Sequence, residues 1–126
     1  MTHRQLIAAA RRAQQHAHAP YSKFPVGAAL LTATGKVFTG GNVENASYGL
    51  TICAERVAVS KAVSEGHRRF RALALVAGHR RLTPCGACRQ FLAEFGDLAI
   101  LCADSRRPAA PRIYRLSDLL PVAFER

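Results

Sequence analysis

The apolar positions follow two rhythms, one helical and one extended. Between residues 2 and 17, Leu6, Ile7, Ala10 and Ala13 return at helical spacing, and Thr2 stands where an N-cap belongs. Ala19-Pro20-Tyr21-Ser22 ends that helix. The run Val26 to Ala33 has β character, Thr34-Gly35 is a turn signal, and Lys36 to Thr39 returns as a second strand. After Gly40-Gly41, the stretch Asn42 to Gly49 is polar and rich in turn formers, which marks a loop able to carry function. Thr51 reads as the cap of a second helix running to about Glu65, with Gly66 as its stop.

The second half reads strand, helix, strand. Arg71 to Ala77 and Leu98 to Ala103 are nearly unbroken apolar runs, the pattern of strands buried on both faces. Between them, Thr83-Pro84 opens a helix that runs to Phe95 and stops at Gly96. That order implies a parallel, right-handed crossover. Ile113 to Phe124 offers a short strand and a short helix around Ser117 to Leu120. The expected class is α/β: a three-layer α/β/α sandwich on a mixed sheet of about five strands. The length of 126 residues fits one domain, 1–126.

Composition adds limits. No segment approaches the ~20 apolar residues that span a membrane. The N-terminus, with His3, Arg4, Arg11 and Arg12, does not read as a signal peptide. A cytoplasmic, reducing location is expected, where a cysteine cluster favours metal or catalysis over disulfides. The net charge is +10. The arginines are scattered along the chain and build no basic helix face, so nucleic acid is not the expected partner.

The cysteines carry the chemistry. Cys85 and Cys88, at i and i+3, face one way, and a helix N-terminus favours their thiolates. Cys53 supplies a third sulfur from another helix start. Three thiolates could hold zinc and leave its fourth corner open, as catalytic sites do. Glu55, two residues after Cys53, is placed to move a water's protons. Two residues apart on an ideal helix point ~200° apart, so Cys53 and Glu55 converge only if Cys53 sits in the irregular first turn, where Thr51 as cap would put it. Three thiolates and Zn²⁺ sum to a charge of −1, which Arg56, at i+3 from Cys53, could offset by donating to sulfur. Cys102 lies in an apolar strand. A structural zinc module with Cys102 as fourth ligand is the alternative from a different class.

Four stretches, Phe24 to Leu30, Asn42 to Ala46, Cys53 to Arg56 and Pro84 to Gln90, together resemble the small-subunit, homotetrameric cytidine deaminases, and Leu119 to Phe124 matches their C-terminal pattern. The resemblance spans essentially the whole chain. It implies one zinc per subunit on Cys53, Cys85 and Cys88, with Glu55 as the acid/base. It implies hydrolysis of cytidine and deoxycytidine to uridine and deoxyuridine plus ammonia, in pyrimidine salvage. Phe24 would pack on the base, Asn42 and Glu44 would hold the ribose, and the Ala54 backbone would read the base edge. Ala46, Tyr48 and Phe124 would reach into a neighbouring subunit's pocket. Two rivals of the same reaction class are a deaminase of a nucleoside-like antibiotic of the blasticidin S type, and one acting on cytosine or adenine in nucleic acid. Two stretches match no family motif: the basic loop His79-Arg80-Arg81, and Ser105 to Arg112 with two prolines and three arginines.

Overall fold

Thr2 caps the first helix as its position suggests. Its side chain accepts from the Gln5 N–H at 3.1 Å, and the Gln5 side chain accepts from the Thr2 N–H at 2.8 Å. This reciprocal capping box starts α1 (His3–Gln14) in the computed structural model, which describes residues 1–126. Strands β1 (Val26–Thr32) and β2 (Val37–Gly41) form the expected antiparallel hairpin. Helix α2 (Ala54–Ser64) follows, then β3 (Phe70–Ala77), α3 (Gly86–Ala93), β4 (Ala99–Asp104), β5 (Arg107–Arg115) and α4 (Leu116–Leu119). The sheet order is β2-β1-β3-β4-β5, and only β3 and β4 are parallel, as the crossover through α3 requires.

Alternation along the central strands sorts two cores. Leu30, Leu73, Leu75 and Ile100 face α2 and α3, and pack with Ala58, Val59, Ala62 and Leu92. Ala29, Ala72, Ala74 and Leu101 face the opposite way, against Leu6, Ile7 and Ala10 of α1. The result is a helix layer on each face of a five-stranded mixed sheet, the expected sandwich. No helix is long and apolar enough to cross a membrane.

Two glycines set how closely the layers meet. A Cβ on Gly27 would stand 2.0 Å from the Ala10 carbonyl oxygen of α1. A Cβ on Gly40 would stand 2.6 Å from the Ala54 carbonyl oxygen and 2.8 Å from the Ala58 nitrogen. Gly40 therefore lets the first turn of α2, the turn that carries Glu55, lie directly on β2.

Three expectations change. Thr51 does not cap α2; Cys53 does, in an extended conformation (φ −70°, ψ 153°). Thr51 ends a 3₁₀ turn at Tyr48–Leu50 instead, and its hydroxyl accepts from the Asn45 N–H at 3.2 Å. Likewise α3 begins at Gly86 with Cys85 as its cap, so Thr83 and Pro84 lie outside the helix. The last strand is longer than expected, starting at Arg107 rather than Ile113. It takes in Pro108 and Pro111, which an edge strand tolerates because one side of its backbone has no partner.

Candidate metal centre and nucleoside site

Cysteine is a poor cap by side-chain hydrogen bonding, and neither Cys53 nor Cys85 makes a cap hydrogen bond. Their sulfurs instead stand at the N-terminal ends of α2 and α3. The N3 residue of each helix turns back on its cap, the geometry of a capping box with sulfur at the cap position. In α3 that residue is Cys88, with its Sγ 3.5 Å from Cys85 Sγ. In α2 it is Arg56, whose guanidinium donates to Cys53 Sγ at 3.8 Å. The i and i+3 reasoning thus survives the shift in helix start.

Across the two helices, Cys53 and Cys85 sulfurs lie 3.9 Å apart, and all three sulfurs lie within 4.8 Å of one another. Tetrahedral zinc with Zn–S of about 2.3 Å needs sulfur separations of about 3.8 Å. The donor set and its spacing fit zinc. Cys102 is not in this group; it is buried in the core facing α2 and α3, and burial pushes its thiol up to about 12. Only three protein sulfurs therefore converge.

The charge around the sulfurs is asymmetric. Hydrogen bonds from Cys88, then from Arg56 and Cys85, bring the Cys53 thiol down to about 5. The Cys88 thiol is pushed up, chiefly by donating to Cys53 and then by burial. Arg56 also donates to the Thr51 carbonyl at 3.5 Å, and its buried Nε has no partner. Arg56 thus stands beside Cys53 with one donor unpartnered.

Glu55 is 4% exposed, and burial pushes its carboxyl up to about 7, with the charge of Cys53 adding to the effect. Cys88 and Arg56 also act on it directly, which places it at the sulfur cluster. Because Cys53 lies outside the helix and Glu55 in its first turn, the ~200° problem does not arise. Ala54, fully buried, sits between them.

The remaining predicted contacts gather on nearby segments. Two isolated bridges, His18 with Val43 and Val43 with Ile52, pin the polar loop beside the start of α2. The Asn42 amide takes the Val26 N–H at 2.9 Å and donates to the Phe24 carbonyl at 3.1 Å, so it clamps the segment that carries Phe24. Phe24 is half-buried, and the Arg80 guanidinium lies 5.5 Å from its ring centre. Glu44 accepts from the Tyr21 and Ser22 N–H groups at 2.9 and 3.1 Å and from the Ser22 hydroxyl. The Ser22 hydroxyl, first among these, holds its carboxyl below the usual range. Glu44 and Tyr48 line an open cavity of about 350 Å³ with Tyr21 and Ser22. Ala46 is exposed, Tyr48 is 84% exposed and Phe124 is 75% exposed.

Sequence reasoning passed over the residues that hold these segments in place. Gln90 pairs with the Phe124 backbone twice, donating at 3.1 Å and accepting at 3.0 Å. Arg89 donates to the Pro84 carbonyl at 2.7 Å and to the Leu119 carbonyl at 2.8 Å. Both follow Cys88 directly, so the helix that carries two sulfurs also anchors the C-terminal segment. Their place just after Cys88 was the available signal, but their C-terminal partners, Leu119 and Phe124, lie 30 and 34 residues away.

Residues 1–103 match the family described as the cytidine and deoxycytidylate deaminase zinc-binding region. The chain is 58% identical to a probable cytidine deaminase of Dictyostelium discoideum, over 93% of this chain and 86% of that one. It is 54% identical to the cytidine deaminase of Sporosarcina psychrophila, over 96% and 90% of the two chains. The crystal structure of the Burkholderia pseudomallei cytidine deaminase superimposes with a TM-score of 0.93 at 50% identity, covering 98% of this chain and all of that one. With three sulfurs at zinc spacing and a buried carboxylate beside them, the chain belongs to the zinc-binding cytidine and deoxycytidylate deaminase family.

Proposed function

We propose that the protein hydrolyses cytidine and deoxycytidine, taking up water and releasing ammonia to leave uridine and deoxyuridine. The observation that carries this reading is the pairing of a three-sulfur cluster, one ligand short of closure, with the buried Glu55. When bound, zinc acts as a Lewis acid and lowers the pKa of water toward about 7. Glu55, with its carboxyl near neutrality, takes a proton at low cost and returns it to the base nitrogen and the departing ammonia. Ala54 would present its backbone to the base edge, and Phe24 would pack against the ring. Asn42 and Glu44 would hold the ribose, one through the segment it clamps and the other through its ionised carboxylate. The absence of Cys102 from the cluster disfavours a closed structural zinc module.

Purified zinc-loaded protein, assayed by ultraviolet absorbance, is expected to turn over cytidine and deoxycytidine. It is expected to leave cytidine monophosphate and single-stranded oligonucleotide unchanged. Preference for either of the last two would sink the nucleoside reading. Arg56→Ala is expected to lower kcat/KM about tenfold or more while the fold is kept, because the cluster loses its offsetting cation. Unchanged kinetics would remove that role.

The proposal extends to a homotetramer with shared sites, acting in nucleoside salvage in the cytoplasm. Its support is the exposed apolar surface around the site: Tyr48, Leu50 and Ile52 on the loop, Val122 and Phe124 on the tail. Three free thiols at one site suit a reducing compartment. Leu50→Asp is expected to split the assembly and lower activity at dilute concentration, as read by light scattering and turnover together. A monomeric parent would remove the tetramer from the proposal.

A further inference from the structure

Five of the arginines that look scattered along the chain converge in space. The loop after β3 and the β4–β5 hairpin meet at one end of the sheet, where the Ser105 N–H donates to the Ala77 carbonyl at 2.8 Å. Between them lies a cavity of about 450 Å³ lined by Arg80, Arg81, Arg106, Arg107 and Arg112. Asp104 is its only carboxylate, and it is taken by Arg106 at 2.8 Å. Arg80, Arg81, Arg107 and Arg112 form no ion pair. Arg81 is held by donating Nε to the Ala110 carbonyl at 2.8 Å, which leaves its terminal nitrogens free to reach a ligand. His79, at the start of this loop, adopts the left-handed conformation (φ 77°), uncommon for a residue with a side chain.

We propose that this pocket binds a small polyphosphate anion, the chemistry shared by inorganic oligophosphates and nucleoside di- and triphosphates. Four unpaired guanidinium groups facing one concavity need an occupant with several charges in a small volume. Planar guanidinium forks match phosphate oxygens two at a time. A single carboxylate would leave most of the charge unanswered. A nucleic-acid strand needs an extended track with several aromatic faces, whereas Tyr114 is the one aromatic residue here and the arginines converge. A second copy of the chain docked face to face would bring like charges together. The site shares no lining residue with the sulfur cluster or the Glu44 cavity. It therefore stands whatever the substrate is, although Arg80 also touches Phe24.

Calorimetry on the zinc-loaded protein at low salt tests this with sodium tripolyphosphate, cytidine triphosphate, short single-stranded DNA, and sulfate at matched ionic strength. Tripolyphosphate is expected to bind saturably and far more tightly than sulfate. The double variant Arg107→Ala/Arg112→Ala is expected to bind it about a hundredfold more weakly, with cytidine turnover and zinc content at parent values. Equal affinity for the two triphosphates would identify the phosphate chain as the ligand; tighter nucleotide binding that is lost in the double variant would add a base contact. Both support the site. Three results overturn it: no preference over sulfate, heat that persists in the double variant (as zinc extraction would give), or tighter binding of DNA lost in that same variant.

Discussion

Glu55→Gln is expected to keep its zinc and its folding transition while losing turnover by about 10²–10⁴-fold, or roughly 3–5 kcal/mol of barrier at 1.36 kcal/mol per decade. The substitution keeps the volume of a side chain that is 4% exposed, so no cavity forms in the first turn of α2. It removes a charge that burial disfavours, so the folded state has no reason to weaken. What it removes is the only carboxylate at the sulfur cluster. Glutamine can still donate to a bound base but cannot take up a proton and return it. Metal analysis, thermal unfolding and the cytidine assay on one preparation separate these outcomes. Loss of zinc together with activity would recast Glu55 as a support for the sulfurs, and parent-like turnover would remove its proton role.

The strand pattern was legible because three central strands bury both faces. Runs such as Ala72 to Ala77 leave few alternatives, and their alternate residues supply the two separate cores. The helix starts were misplaced by two residues because cap preferences put Thr51 ahead of Cys53, and because Pro84 fits a first helical position and so put the start of α3 ahead of Cys85. Here both N-cap positions are taken by cysteines of the sulfur cluster, and a scale of hydrogen-bonding caps does not weigh that use. The first half of β5 was hidden for a different reason. Pro108 and Pro111 argue against a central strand, and only the pairing with β4 shows that this one lies at an edge.

The pairs Cys85–Cys88 and Cys53–Arg56 were readable because their contacts are local: each helix start supplies a cap and the residue three positions on. Residues that act across the chain left no such trace. Ser22 holds Glu44 from twenty-two positions away, and Gln90 holds Phe124 from thirty-four. The arginine pocket needs the β3 loop and the β4–β5 hairpin to be side by side, which is a property of strand order. That convergence of five exposed arginines is invisible in their spacing along the chain.

Cys85→Ala is expected to abolish stoichiometric zinc and cytidine turnover together, and to lower the folding transition as far as a chelator lowers the parent's. Cys85 is the informative ligand because it is exposed. Its truncation opens no hole in either core and removes no cap hydrogen bond, so lost stability reports lost metal. An ion present at a thousand times its dissociation constant adds about 4.1 kcal/mol, provided that the unfolded chain does not bind it. Cys88→Ala would mix that loss with a packing defect, since Cys88 is fully buried. Cys102→Ala gives the opposite pattern: a packing loss of about 1 kcal/mol, with zinc and turnover kept, because its sulfur lies outside the cluster. If Cys85→Ala retained one tightly held zinc while Cys102→Ala lost it, the ligand set would be wrong and the open coordination site with it. If both retained zinc, the chain would hold its metal somewhere other than between the two helix starts.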